Sequence, residues 1–210
     1  MLEVGCGDGR VSRRLAPLCK SVTGIDTDDR LMSNLIESAS NAGIEFLEMD
    51  AQTMGFDASS FDLVLFPWSL HQIGDRSQAV REALRVLCPE GYLCVFGLLP
   101  GGDYESLVSS LGLDYGPEID AHTYYENPLS EAFGSILKTV DLNGANYFGF
   151  SFPDLDTACD AFDFALRAWH NHRPSQRQRE AIRNLLIEYS DASGCPHLKI
   201  SGRVYLTRKR

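Results

Sequence analysis

Strand-like and helix-like segments alternate through the first hundred residues of this 210-residue chain, and no other feature constrains the fold as strongly. The segment from Phe61 to Pro67 is nearly continuously apolar, which is typical of a strand buried on both faces of a parallel sheet. Val80, Leu84 and Leu87 lie instead on one face of a helix that begins near Asp75. The pattern predicts an α/β fold with a doubly wound, mostly parallel sheet.

The same patterns give approximate limits for each element. We predict strands at residues 1–4, 21–26, 44–49, 61–67, 92–97, 147–152 and 203–207. We predict helices at residues 11–19, 28–39, 75–87, 104–111, 129–142, 155–169 and 174–189, with a loop at 112–128. The last two helices lie between two strands, which indicates a helical cap inserted in the C-terminal half of a seven-stranded sheet.

Composition and charge exclude several kinds of protein. Hydrophobic residues make up 44% of the chain and charged residues 23%, as in ordinary globular domains. The net charge of −10 would repel a phosphate backbone, so we expect no nucleic-acid partner. Apolar runs are far shorter than the roughly 20 residues of a membrane span, so we expect no membrane partner. No charged-then-apolar leader opens the chain, so we do not expect secretion. The six cysteines form no C-x-x-C pair, which favours reduced, buried thiols in a cytoplasmic protein.

Charge is segregated in the second half of the chain. Residues 101–163 contain twelve acids and one base, Lys138, whereas residues 167–183 contain five arginines and one acid, Glu180. We interpret these stretches as solvated faces that pair with each other. The alternative is that the arginines form an anion site together with His170 and His172.

A glycine-rich segment, Glu3-Val4-Gly5-Cys6-Gly7-Asp8-Gly9-Arg10, lies where the first strand turns into the first helix. Glycines let the backbone turn sharply and approach a ligand closely, and the helix N-terminus presents free N–H groups to it. The spacing departs from the dinucleotide fingerprint G-x-G-x-x-G, whose third glycine would fall at Arg10. Glu3 would repel a pyrophosphate but would suit a cationic amino group.

Acids also end three consecutive predicted strands. Glu3 precedes the glycine turn, Asp26 ends the second strand and Asp50 follows the third. The carboxyl ends of parallel strands meet at one edge of the sheet, where α/β proteins bind ligands. Asp26 could accept both hydroxyls of a ribose, while Asp50 and the N–H of Ala51 could recognise an adenine edge. Each acid alone could equally be a cap or turn residue, but together they predict a nucleoside site.

Five segments resemble, in order and register, the successive motifs of class I S-adenosylmethionine-dependent methyltransferases: residues 3–9, 24–26, 50–51, 61–64 and 84–93. The nearest group is the small-molecule branch with ubiquinone/menaquinone-type and malonyl-carrier-protein-type enzymes. The match covers about residues 1–97, and the remainder matches only in layout. It implies a Rossmann-like methyltransferase fold, S-adenosylmethionine as cofactor and S-adenosylhomocysteine as product. It also implies a donor-binding core at 1–100, substrate-side helices and a cap with one sheet strand at 101–202, and a closing strand at 203–210.

The resemblance assigns donor-binding roles to nine residues: Glu3, Gly5, Gly7, Gly9, Asp26, Thr27, Asp50, Ala51 and Phe66. Glu3 would hold the methionine amino group through water, and the glycines would line the methionyl and ribose moieties. Asp26 would bind the ribose hydroxyls with Thr27 beside the adenine, and Asp50 would accept from the adenine amino group. Phe66 would begin the floor beside the sulfonium.

The resemblance also indicates residues for the acceptor side. His71 stands where several relatives have a histidine facing the donor, and a neutral histidine could act as general base. A packing or capping role is the alternative for His71. Trp68, Tyr124 and Tyr125 are candidate pocket walls, although these aromatics could equally belong to the core of the cap, which is the better interpretation for Trp169. We expect no metal, because His170 and His172 diverge on a helix.

Missing motifs narrow the acceptor. Enzymes that methylate bases or glutamine amides typically carry Asn/Asp-Pro-Pro-aromatic after the fourth strand, where this chain has Phe66-Pro67-Trp68-Ser69. The glutamate-rich hairpin of arginine methyltransferases is also missing. A small molecule, or one carried on a pantetheine arm, remains as the acceptor, with O, C or N as the reacting atom. A non-catalytic binding protein with this fold is the first alternative, and a nicotinamide-dependent oxidoreductase is a weaker one.

The first predicted strand is short. Only Met1 to Val4 precede the glycine turn, whereas buried strands usually have about five or six residues. Relatives place one or two helices ahead of this strand to cover the donor. We therefore expect a strand truncated at its N-terminus, and weak donor binding unless a partner subunit, such as a second copy in a homodimer, supplies the cover.

Overall fold

A computed structural model describes residues 1–28, 35, 43–112, 120–134, 138–142, 149–169 and 172–210. The strands are β1 (Leu2–Val4), β2 (Val22–Asp26), β3 (Ile44–Glu48), β4 (Phe61–Pro67), β5 (Leu87–Gly102), β6 (Lys138–Asp141), β7 (Gly149–Ser151) and β8 (His197–Arg208). The α-helices are α1 (Arg10–Leu15), α2 (Arg76–Val86), α3 (Asp103–Ser110), α4 (Asn127–Phe133), α5 (Leu155–Trp169) and α6 (Gln176–Glu188). Shorter helical turns lie at Ala16–Leu18, Leu70–Gln72 and His122–Glu126.

The strands follow the order β3-β2-β1-β4-β5-β8-β6, and β7 pairs with β8 outside this path. The pairs β1–β2, β1–β4, β2–β3 and β4–β5 are parallel, whereas β6 is antiparallel to β8. The predicted doubly wound, mostly parallel α/β sheet is therefore confirmed.

The short strand β1 lies between β2 and β4, with Leu2 opposite both Thr23 and Val64. Its residues Leu2, Glu3 and Val4 are all buried, which is expected for a central strand that is covered on both faces. This position brings the carboxyl ends of β1, β2 and β4 side by side, and the glycine turn leaves the sheet at that edge.

The chain forms two compact units. Unit 1 contains Met1–Leu98, Asp120–Asp141 and Arg203–Arg210, and unit 2 contains Leu99–Ile119 and Leu142–Gly202. Residues 120–141 therefore group with the first hundred residues. The functional division at residues 100 and 202 stays a prediction, because compactness alone assigns no function to a unit.

Unit 2 has its own core, built mainly from α3, α5 and α6, with Leu107, Phe162 and Leu186 buried in it. Two arginines of α6 pair with acids of α5, since Arg179 Nε lies 3.3 Å from Asp163 Oδ1 and Arg183 Nη1 lies 2.5 Å from Asp156 Oδ1. The interpretation of the segregated charges as faces that pair with each other is confirmed for these residues. Exposed pairs of this kind are worth less than about 1 kcal/mol each.

Two predicted elements in the second half are wrong. The helix predicted at 129–142 ends at Phe133, because Gly134 adopts φ +73 and caps it, and Lys138–Asp141 forms a strand instead. The loop predicted at 112–128 is helical over the part that is described, His122–Glu126 and the start of α4. Asp120 accepts hydrogen bonds from the backbone of His122 and Thr123, which caps this turn.

Other limits move by smaller amounts. The fifth strand begins at Leu87 rather than residue 92, and the last strand at His197 rather than residue 203. The first helix ends at Leu15 and continues as a 3-10 turn that contains Pro17. The helix predicted at 28–39 lies outside the described residues, except for Asp28 and Leu35. Among the described helices, none is both long and apolar enough to cross a membrane.

Candidate functional site

The glycine turn is fixed by close packing at two of its three glycines. Gly5, Gly7 and Gly9 have φ angles of +74, +51 and +71. A Cβ atom at Gly5 would lie 2.3 Å from Ser69 Cβ, and one at Gly9 would lie 2.6 Å from Phe46 Cζ. Both positions therefore need glycine for the turn to fit against its neighbours.

Gly7 differs from the other two glycines because a Cβ there would meet no atom within 4 Å. Its N–H donates to Asp26 Oδ2 at 2.8 Å. The turn thus presents open space at its middle glycine, beside a carboxylate held by the backbone. A ligand can approach the main chain closely at this point.

Glu3 lies in the floor of the turn. Its side chain is almost completely buried, and Ser12 Oγ donates a hydrogen bond to Glu3 Oε2. Burial raises the pKa of Glu3 to about 7, the bond from Ser12 opposes this shift, and the charges of Asp8 and Asp26 add to it. A cation placed here would favour the ionised carboxylate.

The acids at the ends of β2 and β3 lie on neighbouring strands, since Met49 N donates to Asp26 O at 2.9 Å. Asp26 is half-buried, and its Oδ1 accepts from Asp28 N at 3.1 Å. Asp50 is exposed, and its Oδ1 accepts from Gln52 N at 2.8 Å. Both carboxylates have lone pairs left for a ligand.

Thr27 is exposed beside Asp26, and Ala51 is buried beside Asp50. Phe66 is fully buried inside β4, so no surface of this residue is open to a ligand in the structure. The structure therefore brings Glu3, the glycines, Asp26 and Asp50 to one edge of the sheet. Their roles in donor binding stay predictions.

The segment after β4 carries a strained aromatic residue. Trp68 has φ +57, a conformation that bulky side chains rarely adopt. Its N–H donates to Phe96 O at 3.1 Å, and its ring centroid lies 5.4 Å from that of Phe96. The next residue, Ser69, donates through Oγ to Val4 O at 2.5 Å. Strain of this kind concentrates at functional sites, and here it lies against the glycine turn.

His71 follows in the turn Leu70–Gln72 and has a buried Nδ1 without a hydrogen-bond partner among the described residues. Burial and, to a smaller extent, the positive charge of Arg76 together lower the pKa of His71 to about 4. The ring is therefore neutral at pH 7, but it is a weak base. The Arg76 guanidinium lies 4.0 Å from the centroid of the Tyr124 ring.

The remaining predicted pocket walls differ in accessibility. Tyr124 is half-buried, whereas Tyr125 is fully buried, with its OH accepting from Leu98 N at 3.0 Å and its ring stacked on Tyr205. Tyr125 packs inside unit 1, and its role as a pocket wall stays a prediction. The side chain of Trp169, together with His170, lies outside the described part of the chain.

Sequence reasoning missed two features of this region. An apolar groove of about 550 Å³ runs from Trp68 along one face of β4 and β5, lined by Leu65, Cys94 and Phe96 and bordered by Val11 and Leu15 of α1. The i, i+4 spacing of Val11 and Leu15 was the available signal. The second feature is Arg76, which no motif in the sequence distinguishes.

The chain is similar to known proteins in sequence and in fold. Residues 2–95 match the family model described as "Methyltransferase domain". The chain is 30% identical over 170 residues to a demethylmenaquinone methyltransferase of Chlorobaculum tepidum, covering 72% of this chain and 69% of that protein. It is also similar to a putative methyltransferase structure from Bacillus halodurans, with a TM-score of 0.60, 19% identity, and 99% and 91% of the two chains covered.

The chain therefore belongs to the class I S-adenosylmethionine-dependent methyltransferases, whose methyl donor is S-adenosylmethionine. A second relative, the 27-O-demethylrifamycin SV methyltransferase of Amycolatopsis mediterranei, is 32% identical over 123 residues, or 56% of this chain. That match spans 43% of the relative's length, so the chain covers less than half of this curated relative.

Proposed function

We propose that this protein transfers the methyl group of S-adenosylmethionine to an O, C or N atom of a small-molecule or carrier-bound acceptor. The observation that supports this most is the open space at Gly7 beside the Asp26 carboxylate, at the edge of the sheet where three acids end their strands. A donor with a sulfonium, an ammonium and two ribose hydroxyls matches that set of groups.

The residues of the turn divide the donor between them in this proposal. Glu3, buried and with its pKa near 7, holds the ammonium group through a water molecule. Asp26 uses its remaining lone pairs for the ribose hydroxyls while it keeps Gly7 N–H in place. Asp50 accepts from the adenine amino group, and Ala51 offers its N–H. Gly5 and Gly9 keep the shape of the turn by packing against Ser69 and Phe46, and need no contact with the ligand.

The bound donor supplies a methyl group that its positive sulfur already activates. What remains for the chain is to align an acceptor and to exclude water. Trp68 and Tyr124 contribute aromatic surface on the acceptor side. His71 is neutral at pH 7 but has a pKa of about 4, so it suits an acceptor that arrives already ionised better than one that needs a strong base.

The names of the two relatives above, a demethylmenaquinone and a 27-O-demethylrifamycin SV methyltransferase, support a small-molecule acceptor. A binding protein that keeps the fold without catalysis is the alternative, and a nicotinamide-dependent oxidoreductase is a weaker one. The last is disfavoured by Glu3 and by Arg10, which replaces the third glycine of a dinucleotide fingerprint.

A melting assay tests the donor directly. S-adenosylhomocysteine should raise the melting temperature in a concentration-dependent way, whereas NAD(H) should not. The reverse result would replace the methyltransferase proposal with the oxidoreductase. Incubation with methyl-labelled donor and a pool of small metabolites then separates an enzyme from a binding protein, because only an enzyme moves the label to another molecule.

A further inference from the structure

Arg76 is a half-buried cation with no carboxylate partner in the described part of the chain. Its Nη2 reaches only His71 O, at 3.4 Å, and its Nε is buried without any partner among those residues. The chain has 29 acids against 19 lysines and arginines, so counter-ions are plentiful. Buried charges are normally paired, because removing them from water is costly.

Two described acids, the chain neighbour of Arg76 and an acid bonded to Ser77, bind other groups. Asp75 caps α2 by accepting from Gln78 N at 2.9 Å, and Glu131 accepts from Ser77 Oγ at 3.1 Å. Neither forms an ion pair with the guanidinium. The position beside His71 thus has a positive charge that no carboxylate among the described residues compensates. Burial, and after it this charge, lowers the pKa of the neighbouring imidazole.

The surroundings fix the orientation of Arg76. Its guanidinium lies 4.0 Å from the centre of the Tyr124 ring, in a cation–π contact. A contact with the ring restrains the guanidinium and leaves it with N–H donors that a planar anion could use. The segment that carries His71 begins with Trp68 and Ser69, and Ser69 is the residue against which Gly5 packs. Arg76 therefore belongs to the same edge of unit 1 as the glycine turn.

We propose that Arg76 recognises a carboxylate on the methyl acceptor, so that the acceptor is a small carboxylic acid bound in its ionised form. The inference rests on the proposed function, whose acceptor it specifies. A guanidinium edge matches a carboxylate with two parallel hydrogen bonds, which is stronger and more directional than a single contact. The bound anion supplies the counter-ion that none of the described residues provides.

The test uses benzoate and its neutral isostere benzamide as probes, titrated by calorimetry into the full chain with and without S-adenosylhomocysteine. We expect benzoate to bind at least tenfold more tightly than benzamide. Arg76→Gln should remove this preference, and Arg76→Lys should keep part of it. Arg81→Gln is the matched control, because Arg81 is exposed on the same helix and hydrogen-bonds to Gln78.

Absence of benzoate binding by the wild-type protein, or equal benzoate affinity in wild type and Arg76→Gln, would overturn the proposal. Binding of S-adenosylhomocysteine by each variant verifies that it is folded. Failure of the wild-type protein to bind S-adenosylhomocysteine would contradict the proposed function instead, and the titrations without it would still decide the role of Arg76.

Discussion

The glycine turn and the segment after β4 lie next to each other but are built in different ways. The turn consists of backbone: three glycines at positive φ, and an N–H held by Asp26. In the second region the side chains form the surface. They come from Trp68, His71 and Arg76 after β4, and from Tyr124, which lies more than forty residues later in the chain and contacts Arg76. If the turn binds the donor and the second region binds the acceptor, as we propose, donor binding depends on chain geometry and acceptor recognition on residue identity.

The largest expected effect separates two glycines of the turn. Gly5→Ala places a Cβ 2.3 Å from Ser69 Cβ at φ +74, so it should destabilise the fold by about 2–5 kcal/mol from backbone strain and overpacking. Gly7→Ala meets no atom within 4 Å and should cost only the strain, about 1–2 kcal/mol. Its methyl group instead enters the open space and should weaken S-adenosylhomocysteine binding.

Urea unfolding and calorimetry on the two variants measure both effects. Equal losses of stability at Gly5 and Gly7 would contradict the division between a packing glycine and a ligand-facing one. Unchanged affinity in Gly7→Ala would remove the donor from this space.

A pH-dependent effect of Glu3→Gln comes next in size. The pKa of Glu3 is raised from 4.5 to about 7, so the folded state favours the protonated form. That stabilisation is fully present below pH 4.5 and is lost as the pH rises through 7. Glutamine stays neutral at every pH. Between pH 4 and pH 8, the free energy of unfolding of Glu3→Gln should therefore rise by up to about 3 kcal/mol relative to that of the wild type.

Stability curves of both proteins across this range test the prediction, with Glu45→Gln as the control, because Glu45 is exposed on β3. A difference between wild type and Glu3→Gln that does not change with pH would show that Glu3 titrates normally. Burial would then shift the pKa of His71 but not that of Glu3.

Asp26→Ala should weaken S-adenosylhomocysteine binding at least tenfold. The substitution removes the acceptor for ribose hydroxyls and also releases Gly7 N–H, and hydrogen bonds to a charged group are worth about 1.5–3 kcal/mol each. Asp62→Ala serves as control, since Asp62 is exposed near the start of β4. Unchanged affinity in Asp26→Ala would contradict the ribose assignment.

The glycine turn can be predicted from the sequence more completely than the region after β4, because the turn is formed by residues that are close in the chain and the other region is not. Glycine spacing and strand ends are local, so Gly5, Asp26 and the parallel sheet could be predicted from pattern alone. The pairing of Arg76 with Tyr124 depends on how residues 120–133 fold back, and that stretch was predicted as a loop followed by a longer helix. Gly134, which caps α4, was the local signal for the shorter helix.

The smallest expected effect is that of the Arg76 charge on the pKa of His71. Burial is the main cause that lowers the pKa of His71 to about 4, and the charge of Arg76 is the second. Arg76→Gln should therefore raise the pKa of His71, but not to its usual value, because the ring stays buried. Arg81→Gln should leave it unchanged. Chemical shifts of labelled histidine across a pH titration measure this directly. A bound carboxylate would offset the charge of Arg76 and would therefore also raise the pKa of His71. An acceptor of that kind would make His71 a better base only once the acceptor is bound. If Arg76→Gln leaves the pKa of His71 where it is, the two side chains act independently, and the acceptor side is a set of separate contacts rather than a coupled pair.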